Sequence, residues 1–146
     1  MDALKLAALD IDDLVILSAH TQDALVKPVE ASYDRRTRTF LLPLRRYAWE
    51  KKRRFLGRGE RRLSALSVSG VTAVRSTGID RSAEEAVLNL LALRFTPSDA
   101  QDDPGGAIEL TFSGDATIAL EVECLELRLA DLGAAWQTEN RPAHEL

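Results

Sequence analysis

The stretch from Ala107 to Gly133 has the sequence AIELTFSGDATIALEVECLELRLADLG and decides the fold. Apolar and polar residues alternate on both sides of Ser113-Gly114-Asp115, with apolar side chains at Ile108, Leu110 and Phe112 and then at Ile118, Leu120 and Val122. Such alternation is typical of strands with one buried face. Gly114 can adopt the positive φ that a tight turn requires. The stretch therefore predicts a β-hairpin.

The apolar spacing changes after this hairpin. Val122, Leu125, Leu129 and Leu132 are separated by three, four and three residues, which would place them on one face of a helix. Gly133 is a residue type that often follows the last turn of a helix. We therefore expect a C-terminal helix that packs against the sheet.

The beginning of the chain predicts a short strand followed by a helix. Residues 4–9 are mostly apolar, and Asp10 is a favourable N-cap for a helix over residues 11–24. Asp12 would lie in the first turn, where the helix dipole stabilises a negative charge. Pro28 prevents the helix from continuing.

The middle of the chain predicts further antiparallel strands. Strand-like segments occur at 29–33, 39–44, 62–74 and 85–95, separated by turns. The whole order predicts an α+β domain over residues 1–136, in which a mostly antiparallel curved sheet or partial barrel of about seven strands is packed by an N-terminal and a C-terminal helix. This order is topologically similar to a pleckstrin-homology-like barrel. Residues 137–146 are predicted to form a polar tail.

Composition indicates an ordinary soluble domain. The chain has 146 residues, of which 45% are hydrophobic, enough for one core. The single cysteine, Cys124, excludes an internal disulfide and a zinc site of several thiolates, and it fits a reducing compartment. We expect a cytoplasmic location, no signal peptide and no transmembrane segment. The thiol of Cys124, which lies between Glu123 and Leu125 in the sequence, is expected to be buried.

Charge is strongly segregated along the chain. Residues 35–62 contain 12 of the 19 Lys and Arg residues but only Glu50 and Glu60 among the acids, which gives this segment a charge of +10 within a chain of net charge −4. The candidate anion-binding or partner-binding residues are Arg45, Arg46, Trp49, Lys51, Lys52, Arg53, Arg54, Arg58, Arg61 and Arg62. Such segregation can mark an interaction surface.

Four interpretations of this segment remain open, of which binding to an anionic membrane surface is disfavoured because the sequence predicts no amphipathic basic helix. The first is a non-enzymatic interaction domain that binds an acidic protein partner or forms a homodimer. The second is nucleic-acid binding through residues 45–62, with guanidinium groups on phosphates and Tyr47, Trp49 and Phe55 stacked on bases. The third is that these aromatic residues anchor the core and the charges form a solvated loop. The acidic overall composition favours the first over the second.

The sequence predicts no catalytic residues, no metal site and no cofactor. Ser18 and His20 are two positions apart on the predicted helix, so their side chains diverge and cannot form a nucleophile and base pair. Asp99, Asp102 and Asp103 lack the ligand spacing of a calcium loop. We therefore predict that the protein is not an enzyme.

Several stretches resemble a family of short alphaproteobacterial proteins that is classified as a domain of unknown function. The similarity covers Leu4–Val26, Ala73–Arg81 and Ile108–Glu145. Its most specific motifs are Leu110-Thr-Phe-Ser-Gly114, Leu120-Glu-Val-Glu-Cys124 and Asp131-Leu-Gly-Ala-Ala-Trp136. The resemblance implies a bacterial, single-domain, cytoplasmic protein, and it brings no substrate or catalytic residue.

Overall fold

The computed structural model describes residues 3–47, 61–80 and 82–132. Within these ranges ten strands and one α-helix are formed, with short 3₁₀ turns at Pro28–Glu30 and Ser113–Asp115. The elements are β1 Lys5–Ala8, α1 Ile11–Thr21, β2 Ala24–Val26, β3 Ser32–Asp34, β4 Thr39–Tyr47, β5 Arg61–Val68, β6 Val71–Thr77, β7 Leu88–Pro97, β8 Gly106–Phe112, β9 Ala116–Val122 and β10 Leu127–Asp131.

The strands form one open antiparallel sheet in the order β1-β10-β5-β4-β2-β7-β8-β9-β6, and β3 pairs with the first residues of β4. The predicted antiparallel sheet is therefore confirmed. The described residues form ten strands instead of seven, because Ala24–Val26 and Leu127–Asp131 also form strands and residues 62–74 contain two strands, separated at Gly70. The pleckstrin-homology-like arrangement stays a prediction.

The β8–β9 hairpin forms as its pattern predicts. Phe112 pairs with Ala116 across the turn, and Gly114 has a φ of +74°. The inward side chains of both strands are buried, among them Ile108, Leu110 and Leu120. This hairpin supplies much of the core.

The predicted C-terminal helix over residues 122–132 is wrong. Leu127–Asp131 forms β10, which pairs with β1 on one side and β5 on the other. The apolar spacing of this stretch fits both a helix and a strand: Leu125 and Leu129 are four residues apart, whereas Leu125, Leu127 and Leu129 alternate. All three leucines are buried. Pairing on both edges of β10 stabilises the strand.

The N-terminal helix is confirmed, with its end three residues earlier than predicted. The Asp13 N–H donates to Asp10 Oδ1 at 2.8 Å, which is the expected N-cap. The chain leaves the helix after Thr21, because the Asp23 N–H donates to the Leu90 carbonyl and β2 begins. The helix packs on β7, where the Leu93 N–H donates to Ser18 Oγ at 3.2 Å.

The structure tests the predicted start of the domain but not its predicted end. The first strand is confirmed as β1. The predicted boundary at residue 136 and the tail 137–146 lie outside the described residues. No helix in the described part of the chain has the length and apolar character needed to cross a membrane.

Candidate interaction surfaces

The ten residues predicted to bind anions or partners divide into two groups. Trp49, Lys51, Lys52, Arg53, Arg54 and Arg58 lie outside the described residues. Arg45, Arg46, Arg61 and Arg62 lie at the adjoining ends of β4 and β5, where Tyr47 pairs with Arg61. The structure thus places the base of the basic segment at one end of the sheet.

Arg46 is buried completely and forms an ion pair inside the fold. Its Nε donates to Asp131 Oδ1 and its Nη2 to Asp131 Oδ2, both at 2.8 Å. Ser64 Oγ donates to Oδ1 at 2.6 Å, and the Leu4 N–H donates to Oδ2 at 3.0 Å. The pair joins β4, β5, β10 and the start of β1. This arginine therefore holds strands together and does not belong to an exposed anion-binding surface.

Asp131 remains charged because its partners outweigh its burial. Desolvation raises the pKa of the carboxyl, whereas hydrogen bonds from Arg46, Ser64 and Leu4 and the positive charge of Arg46 lower it, with a net result of about 2. Its ordinary pKa is 3.8. The folded state therefore favours the carboxylate more than the unfolded chain does.

This difference predicts a loss of stability in acid. Because the folded pKa lies below the unfolded pKa, the stabilisation is complete above about pH 4 and disappears as the pH falls toward 2, with a loss of about 2 kcal/mol. Ser64→Ala removes one hydrogen-bond donor and therefore raises the pKa of Asp131 in the folded state. The variant should lose less stability in acid than the natural chain, and this loss should be complete at a higher pH. Urea unfolding between pH 6 and pH 2 gives the free energy of unfolding of the natural chain and of the Ser64→Ala variant. An identical pH dependence in Ser64→Ala would contradict this account.

The exposed arginines of this region make local contacts. The Arg61 guanidinium donates from Nη1 to the carbonyls of Asp23 and Arg45, at 3.0 and 3.3 Å, and lies 5.7 Å from the centre of the Tyr47 ring. Arg45 is exposed, and Arg62 is partly buried. Nucleic-acid binding through residues 45–62 stays a prediction, since most of its residues lie outside the described part of the chain.

An exposed apolar face on α1 is a feature that the sequence pattern did not predict. Leu14 and Leu17 are buried against the sheet. The opposite face carries Ile11, Val15 and Ile16, whose exposed fractions are 51%, 64% and 53%, and Leu9 just before the helix is 63% exposed. We call Leu9, Ile11, Val15 and Ile16 the α1 surface.

A shallow groove of about 440 Å³ extends the α1 surface at its N-terminal end. Phe95, Pro104 and Leu125 supply its other apolar walls, and Asp10 and Asp12 lie on its edge. Cys124 also lines this groove and is exposed. The expectation of a buried thiol is therefore wrong: Cys124 lies in the turn between β9 and β10 and points away from the core.

Acidic groups surround the α1 surface. Asp10 accepts the capping hydrogen bond of α1, and the Asp13 carboxylate accepts a hydrogen bond from the Leu9 N–H at 3.3 Å. Asp103, beside Pro104, has its pKa lowered by hydrogen bonds from the Gly105 N–H and the Ser98 hydroxyl. An apolar patch with an acidic edge suits a partner surface that is apolar or basic.

Metal-ligating residues are not grouped in the described ranges: no three of the His, Cys, Asp and Glu side chains there lie close enough to hold a metal ion. Ser18 is turned toward β7, where its Oγ accepts the Leu93 N–H.

An open antiparallel sheet with a packed helix and an exposed apolar surface defines an α+β protein with a candidate interface. The sequence pattern of the family described as "Protein of unknown function (DUF2948)" matches residues 4–144. The chain belongs to this family. No match was found to a curated protein or to a solved structure.

Proposed function

We propose that the protein is a non-enzymatic protein-interaction domain and that the α1 surface is its interface. The observation that carries this proposal is the exposure of four large aliphatic side chains, Leu9, Ile11, Val15 and Ile16, within eight consecutive residues. An apolar patch of this kind on a soluble domain often marks a protein contact.

The helix itself supports this assignment. α1 has apolar residues on the face toward the sheet and also on the face toward solvent. A surface helix of a globular protein normally carries polar residues on its outer face, so the aliphatic side chains on this face are expected to be covered in the assembled protein. Fully burying an aliphatic side chain contributes about 1.5–3 kcal/mol, so covering four that are half-exposed or more supplies several kcal/mol toward association.

A second copy of the chain is the partner that fits this face best. Ile11, Val15 and Ala19 follow one another at intervals of four, so they form one stripe along the outer face of α1. Two such stripes can pack antiparallel across a two-fold axis near Val15, because an isologous interface requires only self-complementary surfaces. Asp12 would then lie near the C-terminal half of the opposite helix, and like charges would not meet.

The interface is expected to be weak. A helix of 11 residues is about 16 Å long, and even with the adjoining groove it provides less area than the roughly 800 Å² per partner of a standard interface. We expect a dissociation constant in the micromolar range. An acidic partner is disfavoured at the α1 surface by its aspartates, so the acidic-partner alternative depends on the basic segment.

The ionised groups favour binding over catalysis. Among the described residues, the carboxyl groups of Asp80, Asp103 and Asp131 have a shifted pKa; each is shifted downward, and each accepts hydrogen bonds from neighbouring residues. A general acid or base that works near pH 7 needs a shift in the opposite direction. This pattern supports the non-enzymatic part of the proposal.

Val15→Lys is expected to dissociate the dimer without unfolding the chain. Lysine at position 15 would place an ammonium group at the two-fold axis against its own copy. Sedimentation velocity from 5 to 200 µM should show a monomer–dimer equilibrium for the natural chain and a monomer for the variant. Val87→Lys is the matched control, because Val87 is 48% exposed and lies outside the α1 surface. A natural chain that remains monomeric up to 200 µM would contradict the proposed homodimer.

A further inference from the structure

β6 lies at one end of the sheet and therefore has one edge that faces away from the other strands. One edge of β6 pairs with β9 from Ala73 opposite Glu121 to Thr77 opposite Thr117. Its other edge is occupied only at its beginning, where the Val71 N–H donates to the Arg38 carbonyl and the Tyr33 hydroxyl donates to the Val71 carbonyl. From Ala73 to Thr77, no described strand pairs with this edge.

A groove of about 410 Å³ runs beside this free edge. Val74 and Ser76 line it from β6, since residues two apart on a strand face the same side. Phe40 and Ile118 are buried and form its floor, and Val29 and Tyr33 form the opposite wall. An unpaired row of backbone groups therefore lies next to an apolar trough.

We propose that the β6 edge and its groove bind an extended segment of a partner protein as an additional strand, with alternate apolar side chains in the groove and a Lys or Arg at Asp80. This mode of recognition uses backbone hydrogen bonds for affinity and the pockets for side-chain selection. It concerns a different surface from the α1 dimer and does not depend on it.

The charge of the groove selects a basic segment. Among the described residues that line it, Asp80 is the charged one, and the Ser82 N–H and hydroxyl donate to Asp80 Oδ1 at 2.9 and 2.6 Å. These hydrogen bonds lower the pKa of Asp80, whose carboxyl group is ionised at neutral pH in any case. A bound segment with a cationic side chain two or four residues from an apolar one could place the charge at Asp80 and the apolar side chain in the groove.

Protection of the edge is incomplete. Natural sheets guard exposed edges with bulges and charged side chains. β6 has an irregularity between Val71 and Ala73, but the strand is regular from there to its end. Arg75 is held on the outer face by an ion pair with Glu121 at 2.7 Å, so its charge does not block the groove. The accessible part of the edge is thus five residues long, about the length of an ordinary strand.

A display library of random dodecamer peptides is the probe for this proposal. Selection on the full-length protein should recover peptides with apolar residues at alternate positions and a Lys or Arg. Ser76→Arg, which fills the groove, should weaken the binding of a selected peptide at least tenfold, or by more than about 1.4 kcal/mol. Thr77→Arg adds the same side chain to the other face of β6, and it should retain affinity.

Amide hydrogen exchange identifies the bound surface. A selected peptide should slow exchange at alternate amides between Ala73 and Thr77, since those that point to the free edge would gain partners. The Val15→Lys variant should bind the peptide normally, which separates this site from the α1 surface. Three results would overturn the proposal: no recovered peptide, equal binding to Ser76→Arg, or protection that leaves β6 unchanged.

Discussion

Arg46→Met is expected to lower the free energy of unfolding by about 3–5 kcal/mol, the largest effect of any single substitution considered for this protein. The variant leaves the Asp131 carboxylate buried without the guanidinium that donates to both of its oxygens. Only the Ser64 hydroxyl and the Leu4 N–H would remain as donors. Urea unfolding at 15 °C and pH 7 measures the loss.

Arg75→Met provides the matched control for this experiment. Arg75 also pairs with a carboxylate, Glu121 at 2.7 Å, but both side chains are largely exposed. Exposed ion pairs contribute only about 0–1 kcal/mol, so this variant should be nearly as stable as the natural chain. The double variant Arg46→Met with Asp131→Leu should be more stable than Arg46→Met alone, because no buried charge remains. Equal losses in Arg46→Met and Arg75→Met would contradict the structural role of the buried pair.

Leu127→Ala is expected to lower the free energy of unfolding by about 2–5 kcal/mol, as truncation of a buried leucine does. Leu127 is fully buried and lies in β10 opposite Ala8 on one side and Val68 on the other. Arg128→Ala, at the neighbouring exposed position, should change the stability by no more than about 0.5 kcal/mol. Circular dichroism at 222 nm during urea unfolding gives both values.

The pair of substitutions also distinguishes a strand from a helix over this stretch. In a helix that buries Leu125, Leu129 and Leu132, Leu127 would lie about 160° away from Leu125 around the axis and would face solvent. A small effect of Leu127→Ala would therefore favour the helix and contradict β10.

The hairpin around Gly114 could be predicted because its evidence is local. Residues 108–122 alternate at the core positions on both sides of the turn, and Gly114 supplies the positive φ that the turn requires. The same applies to α1, where Asp10 provides a side-chain cap that the structure retains. Such elements depend little on distant parts of the chain.

β10 could not be assigned in the same way, because its spacing fits two periods. The choice between them depends on β1 and β5, whose paired residues are 59 or more positions away in sequence. Asp131 illustrates the point: as an isolated residue it looks like a solvated carboxylate, and only the register of β10 brings it to Arg46. Charge patterning alone could not separate Arg46 from its exposed neighbours.

The α1 surface has a recognisable signal in the sequence. Ile11, Val15 and Ile16 are apolar at positions that a helix buried on one face would fill with polar residues. Helical spacing predicts an inner face with Ile11, Leu14 and Thr21; Leu14 and Thr21 are buried, whereas Ile11 is 51% exposed and belongs to the α1 surface. The groove beside β6 left no comparable signal, because it is formed by segments from β3, β4, β6 and β9.

Crosslinking through position 15 tests the proposed interface most directly. Cys124 is the single cysteine, so Val15→Cys in a Cys124→Ser background places one thiol on each copy, at the centre of the proposed two-fold axis. A short bis-maleimide should convert this protein to a covalent dimer at 50 µM, whereas Val87→Cys in the same background should stay monomeric. Equal crosslinking of the two proteins, or none in either, would contradict the α1 surface as a homodimer interface.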